Sequence, residues 1–181
     1  MRSKGSHLFK WLQSLLFASV ILFFGRAYIV EPVVIDGISM EPTIHDRERM
    51  LVTKTVGWSG NVDRGDIVII TTDDPNLNYV KRIVGKPQDT IEVINDQLFI
   101  NQELVKEPYL KENEVIAHNK QKKLMLDFGP ITIPDNHYFV MGDNRSVSVD
   151  SRSDLGFIEK ERIIGKGELI FYPFTNVRII Q

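Results

Sequence analysis

The sequence predicts a single mainly β domain of antiparallel sheet, carried on one N-terminal helix. Three observations predict it. Residues Trp11 to Val30 form an apolar block of 20 residues whose only charge is Arg26. Beyond Pro32 the pattern changes to short runs rich in Ile, Val, Tyr and Phe, bounded by Gly, Pro, Asn or Asp, which is how strands and their turns read. No long helical periodicity follows the apolar block.

At 1.5 Å per residue a helix of about 20 residues spans roughly 30 Å, the thickness of a bilayer core. Arg26 lies near one end, where a long cationic side chain reaches the interface. Arg2, Lys4 and Lys10 precede the block, and cations concentrate on the cytoplasmic side of a span. The expected organisation is a cytoplasmic tail (1–10), a single-pass anchor in the cell membrane (11–30) and an extracytoplasmic β domain (31–181). A cleavable secretory leader is the competing reading, but Ala27-Tyr28-Ile29-Val30-Glu31-Pro32 offers no small-x-small cleavage pattern. A buried core helix is the other, and the run is long for one.

The chain has 181 residues and a net charge of −2, a length that suits one domain plus an appendage. The first 30 residues hold four cations and no acid, so the remaining 151 carry −6. A nucleic-acid binder places its positive charge on the folded domain, so no nucleic-acid partner is expected. There is no cysteine, which excludes disulfides and thiolate chemistry.

Strands are expected over Arg49–Val56, Gly65–Thr72, Tyr79–Gly85, Thr90–Ile100, Ile131–Ile133, Tyr138–Met141 and Lys166–Tyr172. Within the fourth, IEVI-ND-QLFI reads as a hairpin turning at Asn95-Asp96. Residues Lys106–Gly129 are polar and Lys-rich and read as an irregular excursion. There are no internal repeats and no low-complexity linker.

Three segments carry candidate chemistry. GISMEPT (Gly37–Thr43) follows the apolar block closely. Gly37 permits close backbone approach and Pro42 restricts the residue before it. Such a turn can present the Ser39 hydroxyl together with a backbone N–H, the pairing that an acyl-transfer nucleophile and its oxyanion hole require. By itself the segment also fits a structural turn. In YVKRIVG (Tyr79–Gly85), strand alternation sets Lys81 on one face with Tyr79 and Ile83, and Arg82 on the other with Val80 and Val84. A free lysine titrates near about 10.4, and bringing it to about 7 takes roughly 4–5 kcal/mol of bias, which burial can supply. A strand lysine reaching out to solvent is the alternative. VMGDNRSVSVDSR (Val140–Arg152) sets Asp143, Asn144, Arg145, Ser146, Ser148, Asp150, Ser151 and Arg152 directly after an apolar strand. It reads either as a folded hydrogen-bond network that orients the lysine or as a solvated turn.

Taken in order, these segments resemble the type I signal peptidases. GISMEPT is similar to that family's serine box, RGDIVII (Arg64–Ile70) to the next, YVKRIVGKPQD (Tyr79–Asp89) to its lysine box, and GDNRSVSVDSR (Gly142–Arg152) to its last. The agreement runs from the apolar block to near Tyr172. One N-terminal span and a short insert resemble the compact Gram-positive forms.

The resemblance implies a signal-peptidase-type fold of two antiparallel sheets and cleavage of signal peptides of exported precursors after small residues, the A-x-A pattern. It implies Ser39 as nucleophile, Lys81 as base, Ser148 as a hydrogen-bond partner of the lysine, and Asp150 and Arg145 as supporting residues. Ile35, Met40 and Val80 would line shallow substrate pockets. No cofactor or metal is implied, and the enzyme is expected to act as a monomer near the secretion machinery. Two positions depart from the pattern. Gly37 stands where some members place a serine hydroxyl as second oxyanion donor, and Gln88 replaces a glycine.

A histidine-dependent serine protease is the nearest rival. His7 is expected inside, and His45, His118 and His137 lie in polar, turn-like contexts. A self-cleaving repressor would carry a DNA-binding module in place of the span. A non-enzymatic anchored β domain is the third alternative. Neither HExxH nor GxxxxGK[ST] occurs.

Overall fold

The computed structural model describes residues 4–28, 30–54, 62–74 and 77–180. Helix α1 runs Lys4–Tyr28 and strand β1 follows at Val30–Val34. Then come β2 (Arg49–Thr53), β3 (Ile67–Thr71), β4 (Asn78–Gly85), β5 (Thr90–Ile94), β6 (Gln97–Ile100) and β7 (Glu103–Leu104). A 3-10 turn at Pro108–Leu110 leads into helix α2 (Lys111–Asn119). The chain closes with β8 (Phe128–Thr132), β9 (His137–Met141), β10 (Ile158–Glu159), β11 (Ile163–Tyr172) and β12 (Arg178–Ile179).

The strands form two sheets. The larger runs β1-β2-β11-β3-β4-β9-β10, with β12 also on β11, and the smaller runs β7-β6-β5-β8. Every pairing is antiparallel. β3 lies deep in the larger sheet, and its sequence IVIIT is buried at four successive positions. A strand covered on both faces reads as a continuous apolar run rather than an alternation. Ile67 and Ile69 pack with Ile35, Met40, Ile44 and Met50, whereas Val68 and Ile70 pack with Ile83, Tyr138 and Val140. A third cluster, including Val84, Ile91, Leu98, Phe139 and Met141, joins the smaller sheet to the larger. Between β5 and β6, Asn95 and Asp96 take φ of 52° and 64°. Two successive positive φ values match the right-handed twist of a two-residue hairpin, and Asn and Asp tolerate them best after glycine.

The structure departs from the sequence reading at several elements. Residues 111–119 form a helix where an irregular excursion is expected, although none of its residues is buried. β1 occupies Val30–Val34, which reads as the end of the apolar block and its exit, and it sits at a sheet edge, where Pro32 is tolerated. The described part of α1 includes Lys4–Lys10 of the expected tail. The last two residues of the expected strand Arg49–Val56 lie outside the described residues.

Among the described residues no helix is long and apolar enough to cross a membrane. The expected span 11–30 is described with its side chains only over 11–21, apart from Val30 in β1; the others lie outside the described residues. Of the described side chains on α1, Trp11, Leu15, Leu16 and Phe17 are each at least two-thirds exposed.

Candidate active site

Three strands and two loops build the site. β3 pairs with β4 so that Val68 opposes Lys81 and Ile67 opposes Arg82. Successive residues of a strand project to opposite sides, so β4 delivers two cations in two directions. β9 pairs with the second half of β4, Arg82 facing Met141. Its chain therefore leaves the sheet at Gly142, beside the first half of β4. The loop 142–151 fills that place, and the serine loop 35–48 lies against it.

The two loops are laced through backbone groups. Asn144 N–H donates to the Ser39 carbonyl at 3.0 Å, and Asn144 Nδ2 donates to the Ile38 carbonyl at 3.1 Å. A side chain at Gly142 would collide with the Ser148 hydroxyl and the Ser39 carbonyl, so only glycine lets the loops approach this closely. The far end of the serine loop is held from the C-terminus. Arg178 donates to the Thr43 carbonyl at 2.7 Å and to both Glu48 oxygens, and Glu48 accepts the His45 N–H at 2.9 Å. Burial works to raise the Glu48 pKa, but Arg178 and the other donors outweigh it and hold the carboxyl down at about 2.

Lys81 is 2% exposed. Its Nζ donates to Ser39 Oγ at 2.8 Å and to the Val80 carbonyl at 3.0 Å, and it lies 5.3 Å from the centre of the Tyr79 ring. Burial lowers the lysine pKa to about 8, against the opposing pull of Asp150 and Asp143. The amine is therefore neutral in an appreciable fraction of molecules near neutral pH and can accept a proton. The Ser39 N–H has no acceptor among the described residues. The Gly37 N–H is already committed to Asp46 Oδ1 at 2.8 Å.

A cavity of about 330 Å³ opens beside the pair. Ile35, Met40 and Val80 all line it, together with Ser39 and Lys81. Ile35 and Met40 are also core residues, packed with Ile44, Met50 and Ile69.

Residues 8–172 match the family described as Signal peptidase, peptidase S26. The chain belongs to the signal peptidase family. It is 47% identical over 176 residues to a Signal peptidase I of Bacillus licheniformis, covering 97% of this chain and 95% of the relative. It is 48% identical over 177 residues to Signal peptidase I S of Bacillus subtilis strain 168, with 97% and 95% covered. The fold is similar to the crystal structure of a signal peptidase I from Enterococcus faecalis V583. The TM-score is 0.52 at 31% identity, covering 59% of this chain and 96% of that one.

Within this signal peptidase the structure brings Ser39, Lys81, Ile35, Met40 and Val80 together around one cavity. It separates the supporting residues from that contact. Ser148 does not bond Lys81, contrary to expectation. Its backbone N–H is tied to the Asn144 carbonyl, and its hydroxyl is turned against Gly142, buried and without a partner. Asp150 accepts the Gly142 N–H at 3.0 Å and three bonds from Arg152, one from its backbone N–H and two from its guanidinium. Burial works to raise the Asp150 pKa, but Arg152 and Gly142 outweigh it and leave the carboxyl lowered. The Ser148 hydroxyl adds to that pull, yet by geometry it completes no hydrogen bond. Arg145 is buried and paired with Glu107, and its Nε donates to the Gly142 carbonyl at 3.1 Å. Asp150 and Arg145 thus hold the loop, at one remove from the amine.

The sequence reading missed Glu107, Glu48 and Arg178 as contributors to the site. These are brought in by contacts across the chain, and no local pattern marks them. Asn144 stands in the polar cluster and was legible as one of its members. Gln88 takes a φ of 70°, so the position where the family favours glycine keeps the glycine-like backbone with a side chain on it. His137 Nδ1 lies 2.7 Å from the Asp135 carbonyl, and neither His45, His118 nor His137 bonds Ser39. The His7 side chain lies outside the described residues.

Proposed function

We propose that Ser39 and Lys81 are the dyad with which this signal peptidase removes N-terminal signal peptides from exported precursors. One observation carries the reading: a lysine 2% exposed whose Nζ lies 2.8 Å from a serine hydroxyl, beside an open cavity. Neutral Lys81 takes the Ser39 hydroxyl proton as Oγ attacks the carbonyl carbon of the scissile bond. The Ser39 N–H, without an acceptor among the described residues, is the donor for the developing oxyanion. The C–N bond breaks, and the Lys81 ammonium returns its proton to the leaving amine. Neutral Lys81 next takes a proton from water, whose oxygen attacks the acyl ester. Ser39 then regains a proton from Lys81 and the signal peptide leaves with a free carboxylate.

Ile35, Met40 and Val80 give the cavity an apolar wall, which suits small apolar side chains such as alanine ahead of the cut. Gly37 lends no hydroxyl to the oxyanion, so the Ser39 amide carries that task. The catalytic domain stands on α1. Its exposed Trp11, Leu15, Leu16 and Phe17 form a surface that water does not favour, and a bilayer is its cover. The basic residues before it set the N-terminus on the cytoplasmic side and the catalytic domain outside. The protein works there as a monomer near the secretion machinery.

Ser39→Ala and Lys81→Ala should each abolish cleavage of a precursor in detergent or vesicles, with the circular dichroism spectrum unchanged. Near-normal cleavage by Lys81→Ala would falsify the dyad.

A further inference from the structure

Helix α2 poses a question that the proposed dyad leaves open. It comes from the insert between the lysine box and the last box, and it buries none of its residues. Val115 and Ile116 are 54% and 42% exposed, so the helix adds little to the core. Its Asn113 is half-buried and directed inward. Asn113 Nδ2 donates to the Glu41 carbonyl and to the Asp143 carbonyl, each at 2.9 Å.

These acceptors belong to the two loops that build the site. Glu41 stands two residues after Ser39, in a turn whose N–H donates back to the Ile38 carbonyl at 3.2 Å. Asp143 stands beside Gly142 and Asn144, and its carboxylate takes both prongs of Arg82. Asn144 ties the loops on one side of Ser39, through the Ile38 and Ser39 carbonyls. Asn113 ties them on the other, through Glu41. Ser39 is therefore bracketed.

We infer that Asn113 is a positioning residue for this reaction: its amide clamps the serine loop to the loop after β9 and so holds Ser39 Oγ against Lys81 Nζ. An NH₂ group supplies two donors, and two carbonyls facing each other across a gap need two donors. A carboxylate of the same shape supplies none and would set its charge against both oxygens. A hydroxyl has one proton and could satisfy one carbonyl only. A reacting atom displaced by about 1 Å can cost on the order of 100-fold in rate, so a modest slackening of this bracket is measurable.

The inference rests on the Ser39/Lys81 reading, and the experiment separates the two. Asn113→Asp and Asn113→Ala are measured beside Lys81→Ala in the full chain, with a signal-peptide substrate and thermal unfolding as readouts. Both Asn113 variants should lower kcat by about 10-fold or more with KM within about twofold. They should also move the acid limb of the rate profile to higher pH. A loosened Ser39 lets water reach the lysine, while Asp143, Asp150, the Tyr79 ring and the neighbouring Arg82 keep their places around it. Wild-type kcat and an unshifted limb in Asn113→Asp would overturn the inference while Lys81→Ala stays inactive. Loss of activity that tracks loss of folded protein in both variants would overturn it too, since Asn113 would then serve stability alone. If Lys81→Ala itself cleaves normally, the dyad fails first.

Discussion

Strand β4 buries two neighbouring cations, 2% and 1% exposed, and treats them in opposite ways. Arg82 finds a partner for its charge. Both prongs meet Asp143 at 2.8 and 2.7 Å, a third donor reaches the Gly65 carbonyl, and the Tyr109 ring lies 3.9 Å beneath the guanidinium. Lys81 meets a hydroxyl, a carbonyl and a ring, while its nearest carboxylates act only from a distance. Burying a charge without a partner favours its neutral form, and burying it with a partner preserves it. One residue of offset along a strand thus separates the proposed base from a structural cation.

The sharpest way to break this comparison is to put the wrong cation on the serine's side. A guanidinium stays charged at any pH a protein meets. Lys81→Arg should therefore lose about 10³-fold in kcat against a precursor at pH 7–9, with no recovery at higher pH. Recovery at alkaline pH would show that position 81 does not work by giving up its proton.

On the other side of the strand the effect falls on stability. Asp143→Ala leaves Arg82 buried with its charge uncompensated, which costs about 3–5 kcal/mol in a urea titration. A loss below about 1 kcal/mol would mean that Arg82 finds water or another acceptor, and the contrast with Lys81 would weaken.

The smallest effect has the opposite sign. Folded Lys81 titrates at about 8 against an ordinary 10.5, so between those values the unfolded chain holds the extra proton. The lysine's contribution to stability is least favourable below about pH 8 and improves as pH rises toward 10.5. Lys81→Met removes the penalty and should stabilise the protein at pH 7 by about 1–3 kcal/mol while abolishing activity. The gain should shrink as the titration is repeated above pH 9.

Much of this contrast is legible in the sequence, because alternation along Tyr79–Gly85 separates Lys81 from Arg82 whatever the rest of the chain does. The strand bodies are legible for the same reason, as is the hairpin at Asn95-Asp96. β1 is not: Val30–Val34 reads as the exit of an apolar block, and only its pairing with Val52 and Leu51 makes it a strand. Helix α2 is hidden because it buries nothing, and an apolar stripe is the signal by which a helix is read. Ser148 carries the opposite lesson. Its place in the last box is plain, yet the direction of its hydroxyl depends on how the loop packs against Gly142.

The sequence by itself determined the β character and the apolar N-terminal block, because side-chain type and period are local properties, and its resemblance to the signal peptidases singled out Ser39 and Lys81. The tertiary structure decided the rest. It set a hydroxyl and an amine 42 positions apart at 2.8 Å, stripped the amine of water, and handed the neighbouring guanidinium to a carboxylate 61 positions away. Proximity, desolvation and charge pairing are properties of atoms brought together across the chain, and no stretch of residues contains them alone.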